Sequence, residues 1–110
     1  MHTCHAHGCA KNVPPRMFAC RDHWFALRPA LQRAIWAEYR EGQERNKNPS
    51  IRYLCVQQRA VGELAFKPHD EAAALAAAPY LLKSNEYRLE AIERGLGDPL
   101  AGIAEVPVLT

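Results

Sequence analysis

The sequence predicts a mainly α-helical fold: a tight knuckle at the start of the chain, a small helical bundle behind it and an extended C-terminal tail. Three observations predict it. Cysteine and histidine gather as Cys4-x4-Cys9-x10-Cys20-x2-His23 near the N-terminal end. Apolar residues then recur at three- and four-residue steps over residues 22–40 and again over 50–66, which is the spacing of one helix face. Proline, glycine and capping residues fall at the breaks between these stretches. At 110 residues with 48% hydrophobic content, one domain with a modest core is expected. Within it, residues 1–28 form the knuckle, 29–96 the helical region and 97–110 the tail.

Three thiols and an imidazole delivered as two close pairs are the ligand set of a closed, tetrahedral, structural Zn2+ site. Cys4, Cys9, Cys20 and His23 are therefore the expected metal ligands. Gly8 permits the sharp turn a knuckle needs, Val13-Pro14-Pro15-Arg16-Met17-Phe18 reads as an extended return with its bend at the prolines, and Cys20 and His23 stand where a helix begins. That order of knuckle, extended return and ligand pair at a helix start resembles a treble-clef zinc module. His2, His5 and His7 lie close enough to replace a cysteine or add a transient ligand. Disulfides are the competing reading of the cysteines, but Met1-His2-Thr3-Cys4 has neither a basic nor an apolar leader pattern, so reduced thiols in the cytoplasm are expected. Cys55, far downstream at an apolar helix position, reads as a buried core thiol.

Each helical element has its own sequence logic. Trp24, Leu27, Leu31, Ile35, Trp36 and Tyr39 share helical spacing, and Pro29 divides them into a short helix to about Leu27 and a second from Pro29 to near Gly42. Residues 42–49 are polar and helix-breaking, hence a loop. Ser50 is an N-cap for a helix to about Phe66, with Ile51, Leu54, Cys55, Val61, Leu64 and Ala65 as its apolar stripe. Asp70 caps an alanine-rich helix over 71–78, which Pro79 is expected to break or kink. Residues 80–94 follow with Leu82, Leu89 and Ile92 on one face, ended by Gly95 and Gly97. Val106-Pro107-Val108-Leu109 in the tail reads as a strap over the core.

Net charge is only +2, but residues 1–49 carry eight Lys/Arg against four Asp/Glu, or +4, and residues 50–110 carry six against eight, or −2. The basic half is the metal half. Lys11, Arg16, Arg21, Arg28, Arg33 and Arg40 are candidate contacts to nucleic-acid phosphates, with Trp24, Phe25, Trp36 and Tyr39 as candidate stacking rings or core. A protein-binding role for the acidic, alanine-rich half is the alternative, and no membrane span is expected. Four protein ligands leave a metal no open position, and no phosphate loop, nucleophile elbow or His-Glu-x-x-His helix is present. No enzymatic activity is expected. His69-Asp70 and the trio Glu86, Glu90 and Glu93 read as helix cap and surface charge.

Cys4-His5-Ala6-His7-Gly8-Cys9, Val13-Pro14-Pro15-Arg16-Met17-Phe18, Cys20-Arg21-Asp22-His23-Trp24, Leu31, Ile35-Trp36, Tyr39-Arg40 and Gly42-Gln43 resemble the small Cys/His proteins encoded in tailed bacteriophages and prophages. The resemblance runs through Asn48-Pro49-Ser50 into residues 53–65 and does not reach beyond Phe66. It implies a phage or prophage origin, the host cytoplasm, and a metal set at Cys4, Cys9, Cys20 and His23. The chain departs from the pattern at Leu27-Arg28-Pro29, where relatives place proline directly after the leucine. It implies no activity.

Overall fold

The computed structural model describes residues 2–39 and 49–104. Strand β1 (His2–Thr3) pairs antiparallel with β2 (Asn12–Val13), His2 opposite Val13 and Thr3 opposite Asn12. The Cys4 amide extends this ladder by donating to the Lys11 carbonyl at 2.8 Å. Gly8, at φ 80, supplies the left-handed residue that lets the chain reverse between the strands. After β2 the chain bends at the prolines, where the Met17 N–H donates to the Pro14 carbonyl at 3.0 Å.

Helix α1 (Arg21–Ala26) starts after Cys20. Arg28 is extended, as a residue before proline must be, and α2 (Pro29–Glu38) begins with Pro29 in its first turn. The sequence placed the end of α2 near Gly42; the helix ends at Glu38 instead. Tyr39 turns to ψ 135 and sets its ring between those of Trp36 and Tyr53, at 5.7 and 6.5 Å between centroids. The aromatic contacts hold the extended conformation against helix continuation. Arg40 and the predicted loop as far as Asn48 lie outside the described residues.

Ser50 caps α3 (Ile51–Ala65), its hydroxyl accepting from the Tyr53 amide at 3.1 Å. The buried residues of α3 are Tyr53, Cys55, Val56, Arg59, Ala60, Val61 and Gly62, so the predicted stripe holds at Cys55 and Val61, Leu64 packs half-buried against the core, and Ile51, Leu54 and Ala65 are only half-buried. The physical reason is the position of α3, which packs against α2 and against the next helix and so is buried over more than one stripe.

Helix α4 (Glu71–Glu93) is capped by Asp70, whose carboxylate accepts from the Ala73 amide at 3.0 Å. It runs unbroken through Pro79, correcting the expected break. Pro79 is exposed, so the carbonyl one turn before it can turn to water, while α3 supports the opposite side. A second correction concerns the face that α4 buries. Leu82, Leu89 and Ile92 point to solvent, Leu82 being 67% exposed, and Ala77, Ser84 and Ala91 are buried instead. Seven-residue spacing puts these three small residues on one side, where α3 comes close. Cys55 Sγ lies 3.7 Å from Ser84 Oγ, and the Ser84 hydroxyl donates to the Cys55 carbonyl at 2.8 Å. A methyl on Gly62 would stand 2.6 Å from the Leu81 side chain. Helices this close leave room for alanine and serine between them, and large side chains turn outward.

Gly95 and Leu96 end α4 with amide bonds back to Ile92 and Ala91 (3.0 and 2.9 Å), the Schellman arrangement that residues of this kind predict. The described part of the tail is not extended. Asp98 accepts from the Leu100 amide at 2.9 Å, the Ala101 and Ile103 amides close successive turns, and Leu100 is buried with Ile103 packed beside it. Pro99 and Gly102 favour these turns over a strand. The predicted strap Val106-Pro107-Val108-Leu109 lies outside the described residues. Among those residues no helix is long and apolar enough to cross a membrane.

Candidate metal centre

Three short structural pieces bring four ligand atoms to one place. The knuckle between β1 and β2 contributes Cys4 and Cys9, the turn into α1 contributes Cys20, and the first turn of α1 contributes His23. Helical spacing of three residues puts Cys20 and His23 on one side of the α1 start. The three Sγ atoms and a His23 ring nitrogen all lie within 4.8 Å of one another. His23 Nδ1 is 3.2 Å from Cys20 Sγ and 3.6 Å from Cys4 Sγ. Ligands at about 2.0–2.3 Å on a tetrahedral ion stand about 3.5–3.8 Å from each other, so the donor set is compatible with a metal ion once its widest pair closes by up to about 1 Å.

The surroundings treat two of the thiols in opposite ways, favouring the thiolate at Cys20 and opposing it at Cys4. Burial pushes the Cys4 thiol up, opposed by amide N–H groups of Cys20 and Ala6 that donate to its sulfur. Cys20 is brought down to about 7, first by the His23 amide N–H that donates to its sulfur and then by contacts with the His23 ring, Cys4 and Cys9, against a desolvation penalty. These amides stabilise the charged ligand as outer partners of a metal site do, and no sequence pattern reveals them because they are main-chain groups. Cys4 and Cys20 are buried and Cys9 half-buried, with Val13, Phe18 and Leu27 in the same core.

The other histidines lie outside the cluster. His5 packs its ring on Phe18 and His2, at 5.3 and 4.8 Å; though exposed at its edge, it is held below the usual imidazole range by desolvation against its packed neighbours and then by the charge of His2. His7 Nδ1 meets the Tyr80 hydroxyl at 2.9 Å and docks the knuckle on α4. Cys55 is fully buried and its thiol is raised by desolvation, in keeping with a core role.

The candidate cations divide sharply. Arg16, Arg21 and Arg33 are exposed and make no ion pair among the described residues. Lys11 reaches Asp22 at 3.2 Å on the open surface. Arg28 is engaged within the fold, where its guanidinium grips the Glu63 carboxylate with two bonds, 2.9 and 2.6 Å, and donates to the Ala104 carbonyl at 2.9 Å. Arg59, buried in α3, donates to the same carboxylate and the same carbonyl. Phe25 is 70% exposed and Trp36 about half, while Trp24 packs into the core and edge-on to Trp36. Glu86 and Glu90 pair with Lys83 and Arg94 on the surface of α4. Comparison with known proteins finds no matching family model, no matching curated protein and no matching solved structure.

Proposed function

We propose that this chain is a zinc-stabilised binding module, an accessory protein of a phage or prophage, whose metal half contacts nucleic acid. The observation that carries the reading is the set of exposed cations without ion-pair partners among the described residues, Arg16, Arg21 and Arg33, interleaved with exposed rings. Helical spacing puts Phe25 one turn beyond Arg21 and Trp36 one turn beyond Arg33, so charge for phosphates and rings for bases share faces. Lys11 joins them readily, because an exposed ion pair such as its contact with Asp22 contributes little.

Cys4, Cys9, Cys20 and His23 would hold Zn2+, whose role is architectural: it ties the hairpin to α1 in the order of a treble clef. The donor set suits zinc, and four protein ligands leave no open coordination position, which supports a role without catalysis. The phage origin rests on the resemblance carried by residues 4–65. Binding of labelled oligonucleotides measured over a salt series tests the function. A slope of log affinity against log salt of about −2 to −3 is expected for three or four phosphate contacts. No binding at low salt, or binding that ignores salt, removes the proposal.

One observation favours a second reading, an adaptor or inhibitor docking on a host protein. Leu75, Leu82 and Leu89 lie exposed at seven-residue intervals along one side of α4. Capture from nuclease-treated host lysate with the intact chain and with Leu82→Glu discriminates: a partner that survives nuclease and is lost with the variant supports it, and recovery of nuclease-sensitive partners alone counts against it.

A further inference from the structure

A pocket of about 250 Å3 opens beside the metal hairpin, between the knuckle, the proline bend and the start of α3. Two sets of rings face it. On one side His2, His5 and Phe18 form a staircase, each ring tilted by little more than 30° from the next, at centroid spacings of 4.8 and 5.3 Å. On the other stand Tyr39 and Tyr53, ring centroids 6.5 Å apart. Two polar side chains also reach the pocket. Gln57, half-buried on α3, presents a carboxamide that makes no side-chain hydrogen bond among the described residues, and Arg16 stands exposed at the edge.

We infer that this pocket takes one unstacked nucleobase of a single strand, stacked on the ring staircase, with its edge read by Gln57 and its phosphate held by Arg16. The inference rests on the nucleic-acid reading above and narrows it to single strands. Size selects the occupant: ligand pockets for larger molecules run from about 300 to 1,000 Å3, so this one suits a single planar ring system with sugar and phosphate left outside. Chemistry selects it too. A carboxamide offers one donor face and one acceptor, which is what a base edge needs, and ring stacking tolerates every base. In a duplex the base is paired and stacked already and cannot enter. The hairpin that the metal cluster closes carries His5 next to Cys4, and the His5 amide donates to the Phe18 carbonyl at 3.3 Å, so the stacking wall is built by the same fold as the metal site.

Fluorescence anisotropy on the metal-loaded chain tests the pocket with three labelled probes of equal length: a single strand, the same strand with abasic sites throughout, which keeps its charge, and the duplex, whose charge density is higher. The single strand is expected to bind about tenfold or more tightly than the abasic strand, since stacking one base is worth several-fold to a hundredfold. It is also expected to bind more tightly than the duplex. Gln57→Ala should lower single-strand affinity severalfold and leave abasic binding unchanged, whereas Arg16→Ala should weaken both and flatten the salt slope. Circular dichroism and metal content confirm that each variant is folded. Equal binding of ordinary and abasic strands, or of strand and duplex, overturns the pocket and leaves the nucleic-acid reading standing. No salt-dependent binding of any probe overturns both.

Discussion

The metal half and the α3/α4 hairpin use their charged residues in opposite ways. In the metal half, Arg16, Arg21 and Arg33 face solvent without ion-pair partners among the described residues, and the large buried core side chains are Val13, Phe18 and Leu27 around the ligand cluster, followed by Leu31 and Ile35 on α2. In the hairpin half arginines serve the fold. Arg52 grips Glu38 and donates to the Leu96 carbonyl at 2.7 Å, Arg59 shares Glu63 with Arg28, and Arg88 grips Asp98 with two bonds. The difference teaches where each region gets its rigidity. Where a Cys/His cluster can fix the chain by coordination, cations stay exposed on the surface; where helices are held by small residues and short contacts, cations tie the ends together.

Metal removal should break this comparison most strongly. Structural zinc sites contribute on the order of 10 kcal/mol in small modules, at least as much as the roughly 5–9 kcal/mol from burying the three large side chains between β1 and the end of α1. Chelation, or Cys20→Ser, should abolish amide-exchange protection over residues 2–27 and red-shift the emission of Trp24 and Trp36, which pack on this half. Residues 51–93 should keep their exchange protection for longer, because α3 and α4 pack on each other without the metal. Uniform loss across both regions, or no loss in either, would end the distinction.

Next in size is the ionic knot. Glu63→Ala leaves Arg59, buried, and Arg28, half-buried, without the carboxylate they share. Breaking a buried charge pair by removing one partner costs about 3–5 kcal/mol, which chemical denaturation would read directly. Metal affinity should change little, since the ligands lie on other elements. Arg28 thereby moves from the candidate nucleic-acid contacts to the scaffold, and Arg28→Ala should destabilise the chain more than it changes any salt slope.

How much of this was legible in the sequence depended on whether the signal was local. Cys4, Cys9, Cys20 and His23 come together as their spacing implied, because rare ligand types at short separations leave few alternatives. The caps at Ser50 and Asp70, the break at Pro29 and the stop at Gly95 were local too. The face of α4 was not. Leucine at helical spacing normally marks the core, yet Leu82 and Leu89 are exposed while Ala77, Ser84 and Ala91 are buried, because the spacing between α3 and α4 decides which size fits. That distance is a tertiary quantity. Pro79 failed as a breaker for a related reason, since support from α3 outweighs one lost hydrogen bond on the solvent side. The ionic knot joins residues 28, 59, 63 and 104, too far apart for any motif to carry.

Gly62 measures the closeness of the two helices. Alanine there gains helix propensity of about 1 kcal/mol, but its Cβ would stand 2.6 Å from Leu81 Cδ2, 2.8 Å from Cγ and 3.3 Å from the Leu81 amide nitrogen. The side-chain atoms can yield; the main-chain atom resists. Overpacking of this kind costs about 1–3 kcal/mol, so a net loss is expected, with the thermal midpoint as readout. Gly62→Ala that stabilises the chain would mean that the helices separate freely and that small residues do not set their spacing.

The smallest effect is the pH dependence of Asp98. The Arg88 guanidinium, with bonds of 2.9 and 2.8 Å, holds its carboxyl below the ordinary 3.8, helped by the Leu100 amide and opposed by desolvation. A lowered folded-state value means that the contribution is fully present above the ordinary carboxylate range and is lost as pH falls through the folded value. Both partners are nearly one-third exposed, so solvent limits the pair to about 1 kcal/mol. Asp98→Asn should therefore lower stability slightly at neutral pH, and the gap from the parent chain should close once pH drops well below 4. A gap that stays constant down to that range would mean that the turn-forming bond to Leu100, which asparagine preserves only in part, carries the effect, and that the C-terminal segment is anchored by its turns and by Leu100 rather than by charge.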